Sequence, residues 1–225
     1  MSNDVKITTR ISLMELLAPF SCVDCGQLGR PLCGCCKKYI LEQREKCCIK
    51  CKNADCVCAD EERWDGLWCV GWREGSIKKL IEEYKYNSAR LCGDVLAELL
   101  SDVIPCLGCR VIVVPLPTIA KHIRQRGFDH TLRMCKKLAK MRGWKCESVL
   151  ERRNKTVQVG ATAERRKNQA AEAYGVRRKL EIDEDAIYLL VDDVWTTGAS
   201  MEAARKVLMK AGIKNIAGAV VAAGR

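Results

Sequence analysis

Two groups of residues could do chemistry by their types and spacing. The first is Asp192-Asp193, followed by Thr196, Thr197, Gly198 and Ser200. Adjacent carboxylates suit sugar hydroxyls or a magnesium ion, and hydroxyls with free amides at a helix start suit a phosphate. The second is a set of close cysteine pairs, Cys22-x2-Cys25, Cys33-x2-Cys36, Cys48-x2-Cys51 and Cys56-x-Cys58. Two residues between thiolates let a tight turn aim both sulfurs at one tetrahedral ion, which is the geometry of structural zinc. The spacing predicts two tetrads holding one or two zinc ions. Consecutive and interleaved pairings both remain open, and Cys35 and Cys47 are spare members that would substitute.

The elements that must position these groups follow from the apolar pattern. Tyr188 to Val191 is a short apolar run ending in the two acids, as a buried strand does at the edge of a sheet. From Met201 to Ala211, Ala203, Ala204, Val207 and Leu208 recur at helical spacing. The acids therefore sit in a strand–loop–helix turn whose Gly198 lets the backbone curl near a ligand. A plain turn with acids capping the helix is the competing reading. No Gly-x4-Gly-Lys-Ser/Thr occurs, which excludes a Walker phosphate loop.

Earlier in the chain, Ile11 to Leu17 predicts a short amphipathic helix closed by Pro19. Trp64, Leu67, Trp68, Val70 and Trp72 predict a strand or sheet edge that docks the cysteine-rich region. Ser76 to Tyr86 reads as a helix with Ile77, Leu80, Ile81 and Tyr84 on one face, and Leu91 to Ile104 as a second with Val95, Leu96, Leu99 and Val103 inward. Val111 to Val114 is a buried strand. It is followed by Pro115-Leu-Pro117, a basic segment reaching Arg126-Gly127-Phe128, and a helix with Leu132, Cys135, Leu138 and Met141 inward. Arg133, Lys136, Lys137 and Lys140 would lie on the exposed side of that helix. Trp144 to Leu150 predicts a strand, Arg152 to Lys167 a long polar loop, Ala170 to Val176 a short turn or strand, and Ala217 to Ala222 a last strand. This alternation argues an α/β fold with a doubly wound parallel sheet. Residues 1–62 would form an N-terminal helix and double zinc-finger region, and 63–225 the main domain.

Composition sets further bounds. At 225 residues with 48% hydrophobic and 30% charged residues, the chain suits one α/β domain with a small appendage; two Phe make the core aliphatic. The net charge is +11, and Lys121 to Asn168 holds 15 Lys and Arg against 4 Asp and Glu, a surplus equal to that of the whole molecule. Such a stretch predicts a polyanionic ligand, either a pyrophosphate or a nucleic-acid backbone. Ten of 16 cysteines fall between Cys22 and Cys58. With no secretory signal and no membrane-spanning apolar run, the expectation is a cytoplasmic protein without membrane insertion, whose paired thiols hold metal rather than disulfides.

The strand–Asp-Asp–Thr-Thr-Gly–helix stretch resembles the phosphoribosyl-pyrophosphate (PRPP) loop of type I phosphoribosyltransferases. The N-terminal cysteine finger after Leu16-Leu-Ala-Pro19, the Pro115-Leu-Pro117 and Arg126-Gly127-Phe128 segments and the Asp192-Asp193 loop occur together in this order. So arranged, they resemble the ComF family of competence-associated, phosphoribosyltransferase-like proteins, from about Leu13 to Arg225. The resemblance implies a phosphoribosyltransferase-like domain with an N-terminal zinc finger. Asp192 and Asp193 would take the ribose hydroxyls as catalytic acids, and Thr196, Thr197, Gly198 and Ser200 the 5′-phosphate. Arg126 and Gly127 would meet the pyrophosphate, and Lys85 matches a Lys after the first helix. Plain readings stand beside these: Arg126 as a solvated charge, Lys85 as a helix cap, and His122 and His130 as surface residues. The segment from Gln158 to Asn168 resembles the family's loop over the site. Asp129-His130 stands where the family has Asn-Gln, and Trp195 where it has a smaller aliphatic residue.

Two functions follow as expectations. One is a PRPP-binding protein of DNA uptake and natural transformation that handles incoming single-stranded DNA, with zinc, magnesium and a DNA-uptake helicase as partner. The other is a nucleotide-salvage phosphoribosyltransferase acting on an unidentified nitrogen acceptor. Thr196 holds the position of the general base in 6-oxopurine transferases, which argues against hypoxanthine or guanine. Only Phe128 and Trp144 interleave the basic stretch, so base stacking is weakly provided for.

Overall fold

The computed structural model describes residues 20–44, 48–51, 64–87, 89–153, 173–177 and 181–224. The expected helix at Ile11 to Leu17, Cys56, Cys58 and the segment from Gln158 to Asn168 lie outside them. Within them the element order is α1 (Gly34–Glu42), β1 (Leu67–Trp72), α2 (Gly75–Tyr86), α3 (Arg90–Val103), β2 (Val111–Pro115), α4 (Ala120–Arg126), α5 (His130–Arg142), β3 (Lys145–Cys146), β4 (Leu150–Arg152), β5 (Tyr174–Val176), β6 (Ile187–Trp195), α6 (Ala199–Lys210) and β7 (Ile216–Ala223).

Five strands form a parallel sheet in the order β1-β7-β6-β2-β3, and β4 and β5 pair as a separate antiparallel ribbon. Alternate side chains of each strand enter opposite cores. Val111 and Val113 of β2 join Leu189 and Val191 of β6 beneath α2, α3 and α5. Ile112 and Val114 join Tyr188 and Leu190 beneath α6. Both faces are therefore covered, and the doubly wound α/β arrangement expected from the alternation is present.

The apolar stripe of α2 is as expected, with Ile77, Leu80, Ile81 and Tyr84 all buried. Tyr84 nests against Gly93 of α3, where any side chain would collide with its ring, so the two helices meet closely. Its hydroxyl donates to the His130 carbonyl at 2.8 Å, tying α2 to the first residue of α5.

Helix α5 departs from expectation. Its inward residues include Met134, Cys135, Leu138 and Ala139, while Met141 is exposed. Arg133 and Lys137 are half-buried and bind the Asp94 carboxylate of α3 at 3.2 and 3.3 Å. Only Lys136 and Lys140 of the four expected surface cations are exposed. Arg142 also turns inward, donating to the carbonyls of Ser101, Ile104 and Pro105 at the end of α3 and stacking on Trp144. Pattern alone hid this, because a charged helix face reads identically whether it meets water or a neighbouring carboxylate. The strand expected over Trp144 to Leu150 is two short ones, β3 in the main sheet and β4 in the ribbon.

Candidate functional site

The sheet sets the place of the site. From β2 the chain passes through α4 and α5 to β3 on one side; from β6 it passes through α6 to β7 on the other. The crevice beyond the carboxyl ends of β2 and β6 is thus the topological switch point, where open α/β sheets bind ligands. Pairing of β2 with β6 stops at Pro115–Val191, while β6 continues along β7 to Trp195–Ala223. Asp192 and Asp193 are therefore inside β6 rather than beyond its end, on the part that has outrun β2.

Asp193 is buried. Its Oδ2 meets Lys85 Nζ and lies 3.1 Å from His130 Nε2. His130 Nδ1 in turn lies 2.9 Å from an Arg126 guanidinium nitrogen, and Arg126 stacks over the Tyr86 ring at 5.7 Å. Three separate elements thus converge: Lys85 and Tyr86 from the end of α2, Arg126 from the end of α4, and His130 from the start of α5. Burial works against ionising Asp193. The His130 hydrogen bond and the Lys85 charge overcome it and hold the acid at about 2.

Asp192 behaves oppositely. It keeps part of its surface exposed, and its Oδ1 accepts from the Asp193 amide at 2.8 Å. The surrounding protein and the neighbouring Asp193 charge push its carboxyl well above the usual carboxylate range. The fold thus favours the ionised form of one acid and opposes ionisation of the other.

The loop follows at once. Thr196, Thr197 and Ser200 are exposed, Gly198 is buried, and α6 begins at Ala199. Gly198 has φ +75, and a side chain there would strike the Trp195 indole. The turn needs glycine both for its left-handed backbone and for its space. Thr197 Oγ1 accepts from the Ala199 amide at 3.4 Å, while among the described residues no acceptor meets the amides of Thr196, Thr197 or Gly198. Free amides ahead of a helix start make a concavity suited to an anion.

The structure thus brings Lys85, Arg126, Asp192, Asp193 and the Thr196–Ser200 loop to one end of the sheet. Gly127 has a different part from the one expected. It closes α4 in the left-handed conformation, its amide donating to the Ile123 carbonyl at 2.8 Å, so it shapes the backbone and offers no free N–H. His130 was missed from sequence, where an isolated histidine in a basic stretch carries no signal. Its place four residues after Arg126, next to the Asp129 side chain that caps α5, was the available hint.

The cysteines form a second centre. Cys22, Cys25, Cys33 and Cys36 place their sulfurs within 4.8 Å of one another, with Cys25 and Cys33 at 3.7 Å. A tetrahedral ion with bonds of about 2.3 Å sets its sulfurs roughly 3.8 Å apart, so these four could hold a structural zinc. Amides of Cys33 and Cys36 donate to the sulfurs of Cys22 and Cys33 at 3.4 Å. The tetrad is built from two consecutive pairs. Of the second expected tetrad, Cys48 and Cys51 are described and Cys56 and Cys58 are not.

The first knuckle is tied to helices α2 and α3 by polar contacts, and its buried residues share a core with Val70 of β1. Arg30 binds Glu98 at 2.8 Å, Lys37 binds Asp102 at 2.8 Å, and Lys79 donates to the Val23 carbonyl at 3.2 Å. The next described segment reaches the other core, where Ile49 is buried with Trp64 and Trp195. The cysteine-rich region thus straddles edge strand β1.

No protein-family model matches the chain, and no curated protein matches it. No helix among the described residues is long and apolar enough to cross a membrane.

Proposed function

We propose that this is a PRPP-binding protein of the phosphoribosyltransferase-like class that handles incoming single-stranded DNA during DNA uptake. One observation carries the PRPP part of the reading. A carboxylate pair runs directly into a loop whose amides meet no acceptor among the described residues, and Lys85 and, through His130, Arg126 are joined to Asp193. Ribose hydroxyls would meet Asp192 and Asp193, the 5′-phosphate the Thr196–Ser200 loop, and the pyrophosphate the Arg126 and Lys85 cations. Asp193 already binds Lys85 and His130, so magnesium fits better on the pyrophosphate than directly on this acid. There it would supply charge neutralisation for a departing pyrophosphate.

The DNA part rests on the order of motifs that resembles the ComF family and on the basic stretch. Lys136 and Lys140 on α5 and Arg124 on α4 are exposed cations there. Arg133, Lys137 and Arg142 are committed to protein partners. Reversing the charge of Lys136 and Lys140 should therefore leave the fold intact and weaken single-strand binding. The slope of log affinity against log salt should fall by roughly 0.7 for each DNA phosphate that is no longer neutralised. PRPP affinity should hold. Loss of PRPP binding with DNA binding unchanged would assign the basic face to pyrophosphate and remove the nucleic-acid role.

A transferase of nucleotide salvage is the second reading, favoured by Asp193, held ionised and in hydrogen-bond contact with His130. Release of pyrophosphate from PRPP on adding a nitrogen acceptor would support it.

A further inference from the structure

We infer that Lys50, from the cysteine-rich segment, is a positioning residue for the phosphate loop. It acts by cancelling an acid that would otherwise oppose an anion there. The inference rests on the reading of Thr196–Ser200 as a phosphate site.

The first turn of α6 contains Glu202, whose amide donates to the Gly198 carbonyl at 2.9 Å. A carboxylate at a helix start is favourable to the helix itself, but it opposes an anionic ligand at the same amides. Here the acid is drawn aside and neutralised. Lys50 Nζ binds Glu202 Oε1 at 3.0 Å, the Trp64 indole N–H donates to the same oxygen at 2.9 Å, and Arg205 lies 3.9 Å from Oε2. Lys50 is only 15% exposed and Glu202 24%, so solvent screens the pair less than it would a surface ion pair.

The same segment also props the loop sterically. Ile49, next to Lys50, is buried in one cluster with Trp64, Trp195 and Met201. Trp64 meets Trp195 edge-on at 6.3 Å, and the Trp195 indole fills the space a side chain on Gly198 would need. Residues between Cys48 and Cys51 thereby reach the phosphate loop by two routes, one of charge and one of packing. This gives the cysteine-rich region a part in ligand affinity besides folding. It also accounts for Trp195, since a smaller residue there could not span from Trp64 to Gly198.

The test is calorimetry of PRPP with magnesium at low salt. Lys50→Met keeps the apolar stem and removes the charge. It should weaken PRPP by roughly two- to tenfold, the range of charge effects at helix ends. Adding Glu202→Gln should restore affinity to about the wild-type level, because no charge is left to cancel. A merely structural role for Lys50 would not be rescued by neutralising its partner. Equal affinity in wild type and Lys50→Met, or no recovery in the double variant, overturns the inference alone. Failure of the wild type to bind PRPP overturns the reading of the loop and this inference with it. Should Lys50→Met not fold, Glu202→Gln alone serves: affinity at or above wild type supports the inference, and a loss overturns it.

Discussion

Asp192 and Asp193 are chemically identical neighbours on which the fold imposes opposite proton affinities. Asp193 is held at about 2 by His130 and Lys85 despite its burial, so its contribution to stability is complete above about 4. It is lost as pH falls through about 2. Asp192 is raised, so its ionisation opposes folding at neutral pH, and the opposition fades as pH falls. The two conservative substitutions should therefore differ in sign. Asp193→Asn leaves Lys85 without its anion and should cost about 3 kcal/mol or more. Asp192→Asn relieves a like-charge contact and should raise the melting temperature at pH 7. A pair of thermal melts checks this, and equal destabilisation by both would contradict it. The acids, Lys85 and Arg126 were legible from residue type and spacing. His130 was not, because what recruits it is the Tyr84 hydroxyl, which holds the start of α5 against the end of α2 across 46 residues of sequence.

At the scale of elements, β6 and the turn into α6 carry the account. Sequence pattern ended the strand at Val191, since acids interrupt an apolar run. The strand in fact continues to Trp195, because β7 keeps pairing after β2 has stopped. The helix face of α2 was legible because its stripe of Ile77, Leu80, Ile81 and Tyr84 enters the apolar core. The charged face of α5 was not, since Asp94 lies on a different helix. Gly198→Ala is the sharpest element-level test. The left-handed backbone alone costs a side chain roughly 1–2 kcal/mol, and the Trp195 ring must also move. The variant should fold, show altered tryptophan fluorescence and bind PRPP at least tenfold more weakly. Wild-type affinity would contradict the role given to the turn.

Over the whole molecule, the parallel sheet, the two cores and the cysteine knuckle form one connected assembly around edge strand β1. The knuckle is tied to α2 and α3 through Arg30, Lys37 and Lys79, and Ile49 and Lys50 are tied to the opposite core and α6. Doubly wound architecture was readable from alternating segments. That straddling was not, because its contacts join Arg30 to Glu98 and Lys50 to Glu202 across long separations. Anaerobically purified protein should contain at least one zinc ion per chain, and a chelator strong enough to strip it should lower the melting temperature. Folded protein with no zinc by elemental analysis would contradict the Cys22–Cys25–Cys33–Cys36 centre.

The central claim is that the crevice at the ends of β2 and β6 binds PRPP through two carboxylates and a phosphate loop. Calorimetric titration of wild type and of Asp192→Ala with Asp193→Ala, with PRPP and magnesium, tests it most directly. Wild type should bind. The double variant, with the ribose contacts removed and the loop amides in place, should bind at least tenfold more weakly while still folded by circular dichroism. Equal affinity in the two proteins, or no binding by the wild type, would contradict the account.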